Sequence, residues 1–199
     1  MPMPRSAHAP AAHARSWKSI GSVLALTLLS GQLVGIAQSP RVSIDEVKAV
    51  YLLNFGRFTR WPANESPASA AFPVCVLGRD PFGGTLDTIV AGEKIEGRPV
   101  VTRRLRSPDD AAGCRILFIS ESEAAHLKEI FQQVDRAATL TVSDIPRFAD
   151  QGGMIQFVSE GNRVRFAVNV SAAEQARVTL SSELLRVAVS VKGGRLPEA

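Results

Sequence analysis

The chain has 199 residues, 23 Lys+Arg against 19 Asp+Glu, a formal net charge of +4 and 45% hydrophobic residues. That length and apolar content suit one domain with a sizeable core and exclude a disordered or fibrous chain. Three of the bases and none of the acids lie in the first 37 residues, which leaves 20 against 19 in the rest. A nearly balanced chain does not carry the basic face that nucleic-acid binding requires.

Residues 1–19 hold Arg5, Arg15 and Lys18 and no acid, and an apolar run follows from Ile20 to Leu29. Gly35 and Ala37 then put small residues where a signal peptidase reads, so the pattern predicts a secretory signal over 1–37 and a domain over 38–199. A retained anchor is the other reading, since extending the run to Ile36 nears the roughly 20 residues of a spanning helix. Ser43-Ile-Asp-Glu46 is a capping box opening a helix. Ile44, Val47, Val50, Tyr51, Asn54, Phe55 and Phe58 read as its apolar stripe, and Trp61-Pro62 as its stop. Asn54 on that stripe reads either as a buried amide bonded to a neighbouring loop or as a contact to a ligand.

Phe72–Leu77 is a short apolar strand, and Asp80-Pro81 reads as the cap and first residue of a helix reaching about Val90. Arg98–Leu105 alternates as a strand, with its arginines on the solvent face. A single helical turn is expected over Ser107–Gly113, and a buried strand over Cys114–Ile119. Ser120-x-x-Glu123 reads as a second capping box, for a helix that buries Leu127, Ile130, Phe131 and Val134. A third apolar strand spans Ala138–Val142, and Pro146–Gln151 reads as a loop or a turn of helix. Gly153–Ser159 and Arg163–Asn169 form a hairpin. Ser171-x-x-Glu174 caps a short helix, and Ser181 or Ser182 caps the last, which runs through Val189. Strand and helix alternate and the strands are continuously apolar. These features predict an α/β fold: a single domain with a mixed, partly parallel sheet flanked by helices.

Cys75 and Cys114 are the only cysteines. Behind an export signal they read most simply as a disulfide, with two buried thiols as the alternative. Of the three histidines, His8 and His13 fall in the leader, and His126 lies on a charged helix face. That leaves no zinc site and no Ser-His-Asp triad to build, and no phosphate loop follows a strand. No catalytic residue, metal or cofactor is expected. The carboxyl ends of the predicted strands carry Asp80, Ser120 and Asp144, where α/β sheets tend to bind small ligands.

Taken in order, several segments resemble the YfiR family of exported regulators across nearly all of the domain. They are Val47-Lys-Ala-Val-Tyr-Leu-Leu-Asn-Phe-Gly-Arg-Phe-Thr-Arg-Trp-Pro62, Cys75-Val-Leu-Gly-Arg-Asp-Pro-Phe-Gly83, Gly97-Arg-Pro-Val100 and Cys114-Arg-Ile-Leu-Phe-Ile-Ser120. Leu140-Thr-Val-Ser-Asp144, Gly152-Gly-Met-Ile-Gln-Phe-Val158, Asn162-Arg-Val-Arg-Phe166 and Leu180-Ser-Ser-Glu-Leu-Leu185 complete the series. The resemblance implies a periplasmic, non-catalytic protein that binds the sensor domain of an inner-membrane diguanylate cyclase and holds it inactive. Release, for example onto an outer-membrane lipoprotein, then raises cyclic di-GMP and favours biofilm. Cys75 and Cys114 fall where the family places a disulfide. The second cysteine pair that some members carry near Gly-Gly-Met has no counterpart here.

Arg177 to Leu185, with Ser181 and Ser182, together with Arg163 and Arg165 of the hairpin, form the expected partner surface. A homodimer is left open. The competing reading is a periplasmic small-ligand binder or transport accessory using Asp80, Ser120 and Asp144.

Overall fold

Eight strands share one mixed sheet in a computed structural model that describes residues 42–62, 70–134, 138–161 and 163–193. The expected signal segment, residues 1–37, lies outside the described residues. Among the described residues no helix is long and apolar enough to cross a membrane.

Helix α1 (Ile44–Arg57) opens on Ser43, whose hydroxyl accepts from the Glu46 amide at 3.0 Å. The chain continues through β1 (Thr59–Arg60), β2 (Phe72–Leu77), α2 (Gly84–Val90), β3 (Lys94–Ile95), β4 (Arg98–Leu105), a 3₁₀ turn at Pro108–Ala111 and β5 (Ile116–Ile119). A second 3₁₀ segment, Glu121–His126, leads into α3 (Leu127–Gln133). Then come β6 (Leu140–Ser143), β7 (Ile155–Glu160), β8 (Arg163–Asn169), α4 (Val170–Gln175), β9 (Thr179–Leu180), α5 (Ser182–Val187) and β10 (Ser190–Lys192).

The large sheet has the order β10-β8-β7-β6-β5-β2-β4-β3. Strands β4, β2, β5, β6 and β7 run parallel, whereas the β7–β8 hairpin and the β3–β4 pair are antiparallel. This is the mixed α/β sheet expected from the alternation of apolar strands and helices. Every residue of β2, β5 and β6 is buried, as in a sheet covered on both faces. On one face Phe72, Val74, Val76, Ile116 and Phe118 pack with Leu52 and Phe55 of α1, Leu86 and Val90 of α2, and Ala172 of α4. On the other, Cys75, Leu77, Leu117 and Ile119 pack with Leu127 and Ile130 of α3 and with Phe148. The 146–152 turn folds over this second layer, and glycine at 153 is required there because a Cβ would lie 2.0 Å from the Phe148 ring.

The disulfide joins Cys75, in the middle of β2, to Cys114, just before the neighbouring β5, with Cα atoms 6.0 Å apart and a sequence separation of 39. Both residues are buried, at 0% and 2% exposure. The Arg103 guanidinium lies 3.9 Å from the Cys114 sulfur and donates to the carbonyls of Asp110 and Ala112.

Several local expectations are corrected. Helix α1 ends at Arg57, four residues before Trp61, and β1 intervenes. Its expected stripe splits: Phe55 is buried and Val47, Tyr51 and Asn54 are half-buried, but Ile44, Val50 and Phe58 are 44%, 44% and 43% exposed, while Leu52 and Leu53, outside that stripe, are buried. The Asn54 side-chain oxygen accepts from Arg57 of its own helix at 3.4 Å. Asp80 does not cap α2, because Gly83 holds that position. Asp80 instead closes a local turn by accepting from the Phe82 amide at 2.7 Å. Ser120 caps a 3₁₀ segment and bonds to the Ser122 amide, so α3 starts only at Leu127. α4 is capped by Asn169 rather than Ser171, whose hydroxyl donates to the Gly193 carbonyl. The last helix ends at Val187, and residues 190–192 extend the sheet.

Candidate functional site

Among the described residues an open concave surface lies around the two-residue strands β1 and β9. Phe58 closes α1, with its amide donating to the Asn54 carbonyl at 3.0 Å, and its own carbonyl accepts from the Ser181 amide at 2.9 Å. Between these bonds Thr59 pairs with Leu180 and Arg60 with Thr179 in an antiparallel ribbon. Alternation turns Thr59 and Leu180 inward and Arg60 and Thr179 outward. Trp61 then anchors the ribbon edge-on against Phe72, the first residue of β2, with ring centroids 5.1 Å apart. Phe72 starts a parallel strand, so the ribbon sits at the amino end of the parallel strands.

Two grooves flank this ribbon, and Arg60, Thr179 and Leu180 line both. One, of about 430 Å³, also has Arg57, Phe58, Ser181, Ser182 and Glu183 in its wall. The other, of about 610 Å³, is bounded by Trp61, Pro62, Val170, Glu174, Arg177 and Leu185, among others. Ser181 caps α5 through the Leu184 amide at 3.2 Å, while Ser182 is exposed in its first turn. The Glu183 carboxyl is held below its ordinary range by its own backbone N–H and then by the Ser181 hydroxyl. Arg57 is paired with Glu93 at 2.5 Å. Arg177 occupies the left-handed region at φ 58°, the bend that returns the chain from α4 to β9. The indole Nε1 of Trp61 and the hydroxyl of Thr59 are buried without a hydrogen-bond partner. Such groups cost free energy unless something bonds to them.

The opposite end of the sheet carries Asp80, Ser120 and Asp144, which follow the adjacent strands β2, β5 and β6. Each is engaged inside the protein. Asp80 receives Arg104 Nε at 2.9 Å as well as the Phe82 amide, and Ser120 caps the 3₁₀ segment. Asp144 takes Lys48 Nζ at 2.7 Å, tying α1 to the end of β6, and its second oxygen is buried without a partner. Arg104 also bonds to Asp87, Thr102 and the Gly83 carbonyl, which clamps the β2–α2 turn. Among the described residues no group of three His, Cys, Asp or Glu is arranged to hold a metal ion.

The residues expected to form one partner surface divide between these two ends. Ile155 stands beside Val142, so the β7–β8 hairpin runs past Ser143 and carries Arg163 and Arg165 beyond the carboxyl end of β6. Arg177, by contrast, follows Ala176, whose carbonyl accepts from Ala138 before the start of β6. Arg177, Ser181 and Ser182 therefore share the grooves, and the hairpin arginines do not. The grooves add Phe58 and Trp61, read from the sequence as part of a helix stripe and its stop, and Arg57 and Arg60, to which the sequence reading gave no role. A two-residue strand leaves too little periodicity to be seen. The one available signal was the Thr-Arg-Trp-Pro run itself, with alternating polarity after a helix.

Residues 45–189, from α1 to the end of α5, match the family described as YfiR/HmsC-like. The chain belongs to that family. Membership agrees with a periplasmic regulator, and the Cys75–Cys114 bond stands where the resemblance of the sequence to YfiR proteins placed it. Among solved structures, the ABC domain of Streptococcus pneumoniae in complex with L-Trp is 10% identical, with a TM-score of 0.50, over 72% of this chain and 60% of that one. A conserved domain protein from Vibrio cholerae O1 biovar El Tor is 13% identical, with a TM-score of 0.47, over 60% of this chain and 54% of that one. The YfiR/HmsC-like chain thus spans between half and two thirds of the length of these two structures. At such identities the likeness is one of fold alone.

Proposed function

We propose that the protein is exported by cleavage after Ala37. In the periplasm its domain, residues 38–199, represses an inner-membrane diguanylate cyclase by binding the cyclase's sensor domain. The observation that carries this reading is the YfiR/HmsC-like match over 45–189. The binding surface is the pair of grooves around β1 and β9, with Arg60, Arg177, Ser181 and Ser182 as polar contacts and Phe58 and Trp61 as the apolar ones. Concave surface with aromatic and arginine residues is the usual composition of an interface centre. The mechanism is a population shift: binding one conformation of the sensor more tightly than the other holds the cyclase in its inactive state. No bond is made or broken. An outer-membrane lipoprotein that competes for the protein would relieve the repression.

Deletion of the gene is expected to raise cyclic di-GMP, and photocrosslinking from position 60 in the intact envelope should capture a membrane cyclase. Unchanged cyclic di-GMP together with no captured cyclase would sink the proposal.

A further inference from the structure

Strand β4 outruns its neighbour on the outer side. Its inner edge pairs with β2 from Val100 to Leu105, but β3 pairs only with Arg98 and Pro99. The Val100 amide then donates to the Glu93 carbonyl at 2.9 Å, and among the described residues no strand continues on that side. Successive residues of a strand aim their backbone N–H and C=O groups at alternate sides. Val100 aims its amide outward at Glu93, so Thr102 and Arg104 aim theirs outward too. Neither finds a ladder partner among the described residues. Such a row of free backbone groups is a template for another strand.

The side chains along this edge say what fits it. Pro99 and Val101 stand on one face of β4 and are exposed, Val101 at 38%. Arg103 is turned onto the carbonyls of Asp110 and Ala112, and Arg104 holds Asp80 and Asp87. The charges left over are both basic. Lys94, opposite Pro99 on β3, and Arg106, just past the strand, are exposed and make no ion pair among the described residues. Pro99 and Arg106 are seven positions apart, roughly 23 Å at about 3.3 Å per residue.

We propose that the outer edge of β4 is a docking site for an extended, acidic segment of another protein, which adds as a strand beside Val101–Leu105. The outward N–H and C=O groups of Thr102 and Arg104 supply the ladder. An apolar side chain of the segment rests on Pro99 and Val101, and carboxylates at its two ends reach Lys94 and Arg106. A second copy of β4 does not meet these terms. Antiparallel pairing about a two-fold axis at Arg103 would set Arg103 against Arg103, and like charges directly opposite each other destabilise a ladder. The site rests on β4 and its flanks, so it stands apart from the grooves around β1 and β9.

Amide exchange, followed by NMR on the isotope-labelled protein recovered from the cell envelope, tests it. The probe is an eight-residue peptide with two glutamates at each end, alternating valine and threonine between them, and blocked termini. Saturating peptide should slow exchange of the Thr102 and Arg104 amides at least tenfold. A peptide N-methylated at alternate residues, and one with lysine in place of glutamate, should each bind at least tenfold more weakly. Lys94→Glu combined with Arg106→Glu should weaken binding as much while leaving the melting temperature unchanged. Thr102→Pro removes one outward N–H at an edge position, where proline is tolerated, and should weaken binding several-fold. Arg60→Glu should leave it unaltered. No protection at millimolar peptide overturns the proposal. Protection indifferent to N-methylation and to the Lys94→Glu, Arg106→Glu pair overturns it as well, as does binding that Arg60→Glu abolishes, which would seat the peptide in the grooves. Protection of Thr102 and Arg104 that rises with protein concentration alone would give the edge to a second copy, and the proposal fails.

Discussion

The two ends of the parallel strands are built on opposite principles. At the carboxyl end, the usual ligand-binding edge of an α/β sheet, the polar side chains are almost all used up internally. Asp80 is held by Arg104 and the Phe82 amide, Ser120 by its capping bond, and Asp144 by Lys48. At the amino end the chain makes a ribbon only two residues deep. Arg60 projects between two grooves, and the Trp61 and Thr59 polar atoms are buried without partners. Bonds completed within the fold stabilise it and leave those side chains little to offer a partner, whereas Arg60 is exposed beside the grooves.

The largest expected effect concerns neither end but the staple between them. Replacing both Cys75 and Cys114 with serine removes a 39-residue cross-link, which is worth about 4 kcal/mol in the chain-entropy model. A fall in melting temperature of roughly 8–16 °C should follow at 2–4 °C per kcal/mol. Calorimetry showing no fall would mean that packing of β2 against β5 alone holds the sheet.

Next is the carboxyl end. Asp144→Ala leaves the largely buried Lys48 ammonium with only Asp45, 3.7 Å away. A loss of about 1–3 kcal/mol is expected, below the full penalty for a completely buried pair because both side chains keep some water contact. Denaturant unfolding measures it. If Asp144→Ala instead lost partner capture at unchanged stability, the roles assigned to the two ends would have to be exchanged.

Arg60→Glu is the converse test. Arg60 is exposed on the ribbon, so stability should stay within about 0.5 kcal/mol. Crosslinking to the membrane partner should nevertheless drop at least tenfold, equivalent to about 1.4 kcal/mol of binding. Full capture by Arg60→Glu would remove the grooves from the proposal.

The smallest effect is electrostatic. The Arg104 hydrogen bond, followed by that from Thr102, holds the Asp87 carboxyl below its ordinary range. A depressed carboxyl stabilises the fold above its unfolded-state pKa, near pH 4, and this contribution fades as pH falls through the folded-state value. The pair is half exposed, so only about 0.2–1 kcal/mol is at stake. Arg104→Gln should flatten the stability–pH curve below about pH 4 and leave its shape near pH 7 unchanged. An identical acid limb in the variant would show that the pair contributes nothing.

Much of this could be read along the chain because its cause is local. Continuous apolar runs made β2, β5 and β6 visible, since a strand buried on both faces has no polar alternation to preserve. Ser43 and Ser181 were legible as caps because a cap and its amide lie within three residues. Even the family resemblance was carried by short segments in fixed order. Tertiary structure alone decided the rest. Asp80 and Ser171 have the chemistry of helix caps, but packing elsewhere moved the helix starts and gave their side chains other bonds, while Ser120 caps a 3₁₀ segment ahead of α3. The α1 stripe read as a single buried face, yet the sheet can cover only one side of a cylinder. Tyr51 and Phe55 reach Phe157 and Phe166, and Val50 and Phe58 are left outside. The β1–β9 ribbon joins residues about 120 apart in sequence through two pairs, and no window of local periodicity contains such a pairing. Composition, local pattern and family were therefore fixed by the order of residues. The location of the grooves was fixed by the β1–β9 pairing and by the bond from the Ser181 amide to the Phe58 carbonyl, which are long-range contacts that no local pattern contains.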